Sequence, residues 1–195
     1  WFVNAANRAK IAGFDLICLY GAHGFGIFQH FLSRATNMRS DEYGGSLENR
    51  SRFAREVIAD MRDAVGDTMG ITLRVSLDET IGDLGFSNAE VRDFVEMNKD
   101  LPDLWDLAHG TWEDCSGPSR FKEEAAQEVL VKGIRELSSK PVVGVGRFTS
   151  PDVMARMIKS GILDAIGCAR PSIAYPFLPN KIMEGRIEDI RECIG

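Results

Sequence analysis

The stretches PVVGVGRFTSPD (141–152) and LDAIGCARPSIA (163–174) share one layout: a short apolar run, a tight loop carrying small residues and an arginine, and the start of a helical pattern. In the first the loop is Gly144-Val145-Gly146-Arg147, and Ser150-Pro151-Asp152 sets a capping hydroxyl before a proline suited to a first helical turn. In the second the loop is Gly167-Cys168-Ala169-Arg170. Barrels that bind phosphate build the site from the loops after their last two strands, where small residues expose backbone N–H groups. Arg147 and Arg170 would add planar, permanently charged donors, and Gly146 would let the backbone approach an anion. The alternative for both arginines is pairing with surface carboxylates, and spacing alone leaves the two readings level.

Outward from these loops the same alternation continues. Further strands are predicted at 14–20 (FDLICLY), 71–75 (ITLRV) and 104–108 (LWDLA), beside 141–145 and 163–168, each nearly continuous in apolar residues. Helices are predicted over 46–64, 88–99, 123–137, 151–159 and 179–192, with stops at Gly66 and Gly161. Successive βα units define an α/β fold with a parallel sheet, either open and doubly wound or part of an eight-stranded barrel. GAHGFG (21–26) has glycines after the first strand, but also a histidine and no helix of the expected kind behind it, so the dinucleotide fingerprint fails.

The chain has 195 residues, 44% of them hydrophobic, and a formal charge of −6, which suits one domain with a sizeable core and argues against nucleic acid or an anionic membrane as partner. No run approaches the roughly 18–20 apolar residues of a membrane span, and no signal-peptide layout opens the chain. Cys18, Cys115, Cys168 and Cys193 form no CxxC pair, which fits a reducing, cytoplasmic setting. The start at Trp1 in what reads as the tail of a helix, and the stop just after Cys193, read as a piece of a longer protein.

Three places can carry chemistry. Tyr20 and His23 stand at the carboxyl end of the first strand, where a phenol and an imidazole can share a proton; the alternative is a buried, hydrogen-bonded pair filling the core. Arg74 interrupts ITLRVS and calls for an anionic partner, either a ligand or an internal ion pair with Asp78 or Glu79. Trp112 follows the third strand with His109, Asp114 and Cys115, and an aromatic rim there suits an apolar or cationic substrate.

RATNMRSDEYGGSLENRSRF (34–53) is very similar to the signature of the Old Yellow Enzyme class of flavin-dependent oxidoreductases. GVGRFTSPD (144–152), GCARPSIA (167–174) and RECIG (191–195) resemble its trimethylamine and dimethylamine dehydrogenase branch. The resemblance covers essentially the whole chain. It implies a (β/α)8 TIM barrel that binds FMN, with residues 1–195 as the C-terminal part of that domain, strands four to eight, and with earlier strands and later iron–sulfur and nucleotide-binding regions lying outside. Residue by residue it implies Arg74 at the flavin pyrimidine edge; Gly146, Arg147, Ala169 and Arg170 around the FMN phosphate; Tyr20 and His23 in the active site; and Trp112 in an aromatic bowl for the amine. Cys193 matches the first ligand of a 4Fe–4S cluster, which needs further cysteines beyond this chain. Two positions depart from the pattern: Cys115 stands where a triad aspartate is expected, leaving Asp114 as the candidate, and Tyr175 replaces an aspartate.

The resemblance implies oxidation of a secondary or tertiary methylated amine by transfer of a hydride equivalent to flavin, with an electron-transfer flavoprotein as acceptor and a homo-oligomeric parent. A 2-enoate or 2,4-dienoyl-CoA reductase using NAD(P)H is the second expectation. The third is that these residues alone form an inactive half-barrel with two unpaired sheet edges.

Overall fold

The computed structural model describes residues 1–111, 114 and 121–193. Apolar runs of the predicted kind form five parallel strands: β1 (Leu16–Gly21), β2 (Gly70–Ser76), β3 (Leu104–Ala108), β4 (Val142–Gly144) and β5 (Ala165–Ile166). They pair in chain order, β1-β2-β3-β4-β5. A doubly wound sheet reverses its strand order part-way, whereas a barrel adds each strand beside the last, so this order selects a barrel segment.

The register fixes which side chains share a face. Leu19, Leu73, Trp105 and Val142 form one row across β1 to β4, and all are buried in the apolar core. Trp105 meets Phe94 edge-to-face, with ring centroids 5.7 Å apart. The next row, Tyr20, Arg74, Asp106, Val143 and Ala165, points to the opposite face. One row therefore packs under the helices while its neighbour carries polar and charged groups into the barrel interior.

Helices α1 (Phe2–Ile11), α2 (Ile27–Leu32), α3 (Leu47–Val65), α4 (Asn88–Met97), α5 (Glu128–Val131), α6 (Pro151–Lys159), α7 (Ala169–Ala174) and α8 (Leu178–Met183) connect and flank the strands. The Ser46 hydroxyl accepts from Asn49 N at 3.2 Å to start α3, and Gly66 ends it with φ +64°. Two predicted helices are corrected. The run 123–137 holds only α5 and a 3-10 turn at Arg135–Leu137, because Ala125 and Gly133 take positive φ and Ala126 N is drawn to Gly146 O, 3.1 Å away. The run 179–192 stops at Met183 before Gly185 (φ +69°), leaving a 3-10 turn at Ile187–Asp189. GAHGFG does precede a helix, α2, though one of only 6 residues.

The 34–53 signature is a structural clamp. Asn37 Nδ2 donates to Phe31 O and Tyr43 O, both at 2.7 Å, and Asn49 Nδ2 to Gly44 O at 3.1 Å. A Cβ on Gly44 would collide with the Arg39 carbonyl. Arg50, 2% exposed, donates to Leu32 O, to Gly45 O and to Glu90 on α4. The motif thus ties the loop after α2 to α3 and α4. Among the described residues no helix is long and apolar enough to cross a membrane.

Candidate active site

The loops after β4 and β5 converge on a cavity of about 170 Å³ lined by Gly146, Arg147, Ala169 and Arg170 together with Arg74, Asp114 and Cys193. Residues far apart in sequence are gathered here because the parallel strands all deliver their carboxyl ends to one rim. At Gly146 (φ +153°) an added Cβ would lie 3.2 Å from Gln127 N, so a side chain there would strain the loop. Arg147 also holds a positive φ, 59°. Its Nε is buried without a hydrogen-bond partner among the described residues. Among the described residues neither Arg147 nor Arg170 is paired with a carboxylate.

The helix terminus behind the first loop is already occupied. Glu124 accepts from the backbone N–H and hydroxyl of both Thr149 and Ser150, just ahead of α6. Burial alone would raise its pKa, but these hydrogen bonds hold it below the usual glutamate range. An anion in the cavity would therefore rely on loop backbone and arginines rather than on the start of α6.

At the end of β1 the Tyr20 hydroxyl and His23 Nδ1 share a hydrogen bond. His23 has φ +61°, and its backbone N–H donates to Ser76 Oγ at 2.9 Å, whose hydroxyl donates to Gly110 O at 3.2 Å. Those bonds fix the His23 backbone from β2 and from the loop after β3. Burial, reinforced by the positive charge of Arg74 and by His109, lowers the His23 pKa to about 4. The imidazole is therefore neutral at neutral pH.

Arg74 joins this pair to the cavity. Its guanidinium carbon lies 5.8 Å from the Tyr20 ring centroid, and Nη1 is 3.6 Å from Asp106 Oδ2. The internal partner is thus Asp106, not the Asp78 or Glu79 that the sequence offered as the alternative to a ligand. Glu79 is committed elsewhere, accepting from Gln29 Nε2 at 2.7 Å and Phe86 N at 2.6 Å. Asp114 receives hydrogen bonds from the hydroxyls of Thr80 and Thr111, the Thr80 bond above all keeping its pKa low. The imidazole it acts on is His109, whose pKa is lowered by burial against the opposing pull of Asp114. Trp112 and Cys115 lie outside the described residues.

His109, Gln127 and Lys122 line the cavity without having been singled out from sequence as binding residues. His109 Nδ1 and Gln127 Oε1 are buried without hydrogen-bond partners among the described residues. The position of His109 directly after β3 was the available signal; nothing local marked Gln127, which reaches the site through the irregular segment before α5.

The fit to a phosphate-bearing cofactor rests on these groups. An arginine Nε and two arginines that lack partners among the described residues, the Nε a hydrogen bond and the arginines a carboxylate, with a glycine where a Cβ would be crowded, surround a space smaller than the ~300–1,000 Å³ of a complete ligand pocket. They fit the anionic end of FMN. A 4Fe–4S cluster does not fit within the described residues: Cys193 is one thiol, and no group of three or more metal-ligating side chains is present among them.

A parallel sheet wound in one direction, with its arginines gathered at the carboxyl rim, is the architecture of a barrel enzyme. A model of the NADH:flavin oxidoreductase / NADH oxidase family matches residues 1–189, and the chain belongs to that family. It is 45% identical over 199 residues to dimethylamine dehydrogenase of Hyphomicrobium sp. (strain x), covering 100% of this chain and 27% of that protein. The structure of histamine dehydrogenase from Rhizobium sp. 4-9 is similar with TM-score 0.97 and 86% identity, over 100% of this chain and 28% of that one. The structure of 6-hydroxypseudooxynicotine amine oxidase from Pseudomonas geniculata N1 is similar with TM-score 0.95 and 50% identity, over 100% and 29%. The chain thus spans less than a third of each of these relatives, and it is amine-dehydrogenase-like within a family of flavin oxidoreductases.

Proposed function

We propose that this chain forms one side of an FMN-dependent dehydrogenase whose substrate is a primary amine bearing a heteroaromatic ring, of the histamine type. The observation that carries the reading is the hydrogen-bonded Tyr20–His23 pair beside Arg74, in a chain this close to histamine dehydrogenase. FMN, when bound, supplies the acceptor for two electrons from the amine Cα–H bond. Gly146, Arg147, Ala169 and Arg170 would hold its phosphate, and Arg74 would face the same cofactor from the inner wall.

The protein's own part is charge and proton control. Tyr20 and His23 share a hydrogen bond, and a lone pair of the phenol oxygen can accept from the substrate amine. The imidazole resists protonation and Arg74 stands beside it, so the pair disfavours a second cation and favours the uncharged amine, the form whose lone pair assists C–H cleavage. Asp114, held ionised by Thr80, would add a negative charge near the cationic form on arrival. Trp112 would contribute an apolar wall. The product imine hydrolyses to an aldehyde and ammonia.

A methylated secondary or tertiary amine is the second reading, favoured by the likeness to dimethylamine dehydrogenase. For the longer protein we propose that the chain is strands four to eight of the barrel, that Cys193 is one of four cluster ligands, and that an electron-transfer flavoprotein, a homo-oligomer and a cytoplasmic setting complete the system.

The test is anaerobic titration of the full-length protein with histamine, then dimethylamine and trimethylamine, following the visible flavin absorbance. Bleaching by histamine supports the proposal, and bleaching only by methylated amines transfers it to the second reading. Bleaching by NADPH alone, reversed by an enoyl substrate, would overturn both in favour of a reductase.

A further inference from the structure

Tyr20, Arg74 and Asp106 are direct Cα partners on three adjacent strands, so their side chains stand in one row on the interior face of the sheet. Asp106 is the unexplained member. Among the described residues its carboxylate has a single partner, Arg74, and that pair is long, at 3.6 Å, with side-chain exposures of 28% and 20%. No backbone N–H or hydroxyl of the described residues donates to it. Burying a carboxylate against one distant guanidinium is a poor source of stability, because desolvation of two charges offsets most of their attraction.

The same arrangement places the guanidinium between two neighbours of opposite character. Among the described residues Arg74 Nε is buried without a hydrogen bond, while the guanidinium carbon sits over the Tyr20 ring. Among them Asp106 is the one carboxylate paired with the guanidinium. Arg74 also lines the cavity shared with Arg147 and Arg170.

We propose that Asp106 is a positioning residue: its carboxylate holds the Arg74 guanidinium between itself and Tyr20, on the face that lines the cavity, and offsets part of the guanidinium charge felt there. The inference rests on the FMN reading of the cavity. With Asp106 neutral, the uncompensated guanidinium would favour a reduced, more anionic cofactor. Asp106 would thus hold the potential of the bound flavin down.

The experiment uses the full-length, flavin-loaded protein and measures the midpoint potential of the flavin by spectroelectrochemical titration, which needs no amine substrate. Asp106→Asn should shift the potential to more positive values, and Asp106→Glu, which keeps the charge, should return it toward wild type. If Asp106→Asn does not accumulate as holoprotein, Asp106→Ser, smaller and equally neutral, reads the same shift. An unchanged potential in a flavin-loaded neutral variant overturns the proposal alone. A wild-type protein without flavin overturns the FMN reading and this proposal together, whereas failure of amines to bleach the flavin bears on the substrate only.

Discussion

Glu124 caps the helix that begins beyond Ser150: its carboxylate accepts the Ser150 backbone N–H at 2.6 Å and the Ser150 hydroxyl at 2.7 Å. With the matching bonds from Thr149, this one side chain satisfies donors that the start of α6 would otherwise leave open. Glu124→Ala should lower stability by about 1–3 kcal/mol, the range for stranding partly buried donors. Because the folded pKa lies below the unfolded one, the contribution is present above the ordinary glutamate value and is lost as pH falls through the folded pKa. Thermal melts of wild type and Glu124→Gln across the acid range should converge at low pH.

Arg50 should matter more. It is 2% exposed and divides its donors among Leu32 O, Gly45 O and Glu90. Arg50→Ala strands all three and should cost about 3–5 kcal/mol, the range for breaking a buried pair from one side. Arg50→Lys keeps the charge but cannot fork to three acceptors, so its denaturant midpoint should fall between the two.

His23 gives a pH signature of opposite origin. Its folded pKa of about 4 is below the ordinary imidazole value of 6.5, so the unfolded chain binds a proton first as pH falls. Stability from this site is therefore intact above 6.5 and declines between 6.5 and about 4. His23→Gln should flatten that part of the stability profile. In the full-length protein it should also change the pH dependence of flavin reduction, and an unchanged profile would remove His23 from the proton pathway.

Gly146→Ala places a methyl 3.2 Å from Gln127 N at a backbone angle of +153°. Strain of this kind costs about 1–3 kcal/mol. Arg147→Gln leaves the loop backbone alone but removes a cation from the cavity wall. Equilibrium dialysis should therefore show weaker FMN binding for both variants, with a lowered Tm only for the glycine variant.

Much of the fold was legible because it depends on local chemistry. Ser46 and Gly66 bracket α3 by capping and by a positive φ, effects that act within a turn of the residue concerned. The strands were legible as apolar runs. The stretch before α5 was not, since its helical pattern is overridden by Ala126 N bonding to Gly146 O, a contact with the next βα unit. Arg74 was legible as a charge needing a partner, but the internal partner offered as the alternative to a ligand was the wrong carboxylate. Asp78 and Glu79 are near in sequence, whereas Asp106 is near only once β2 and β3 pair in register.

The sequence by itself determined the parallel α/β plan, the family signature and the identity of the glycine and arginine loops, because periodicity, capping and motif spacing are properties of contiguous residues. Tertiary structure alone decided the rest. It put Arg74 between Tyr20 and Asp106, gave Glu124 rather than a ligand the start of α6, and brought His109 and Gln127 to the cavity. Each of these depends on strand register or on a contact between separate βα units, and so on distances that no local pattern encodes.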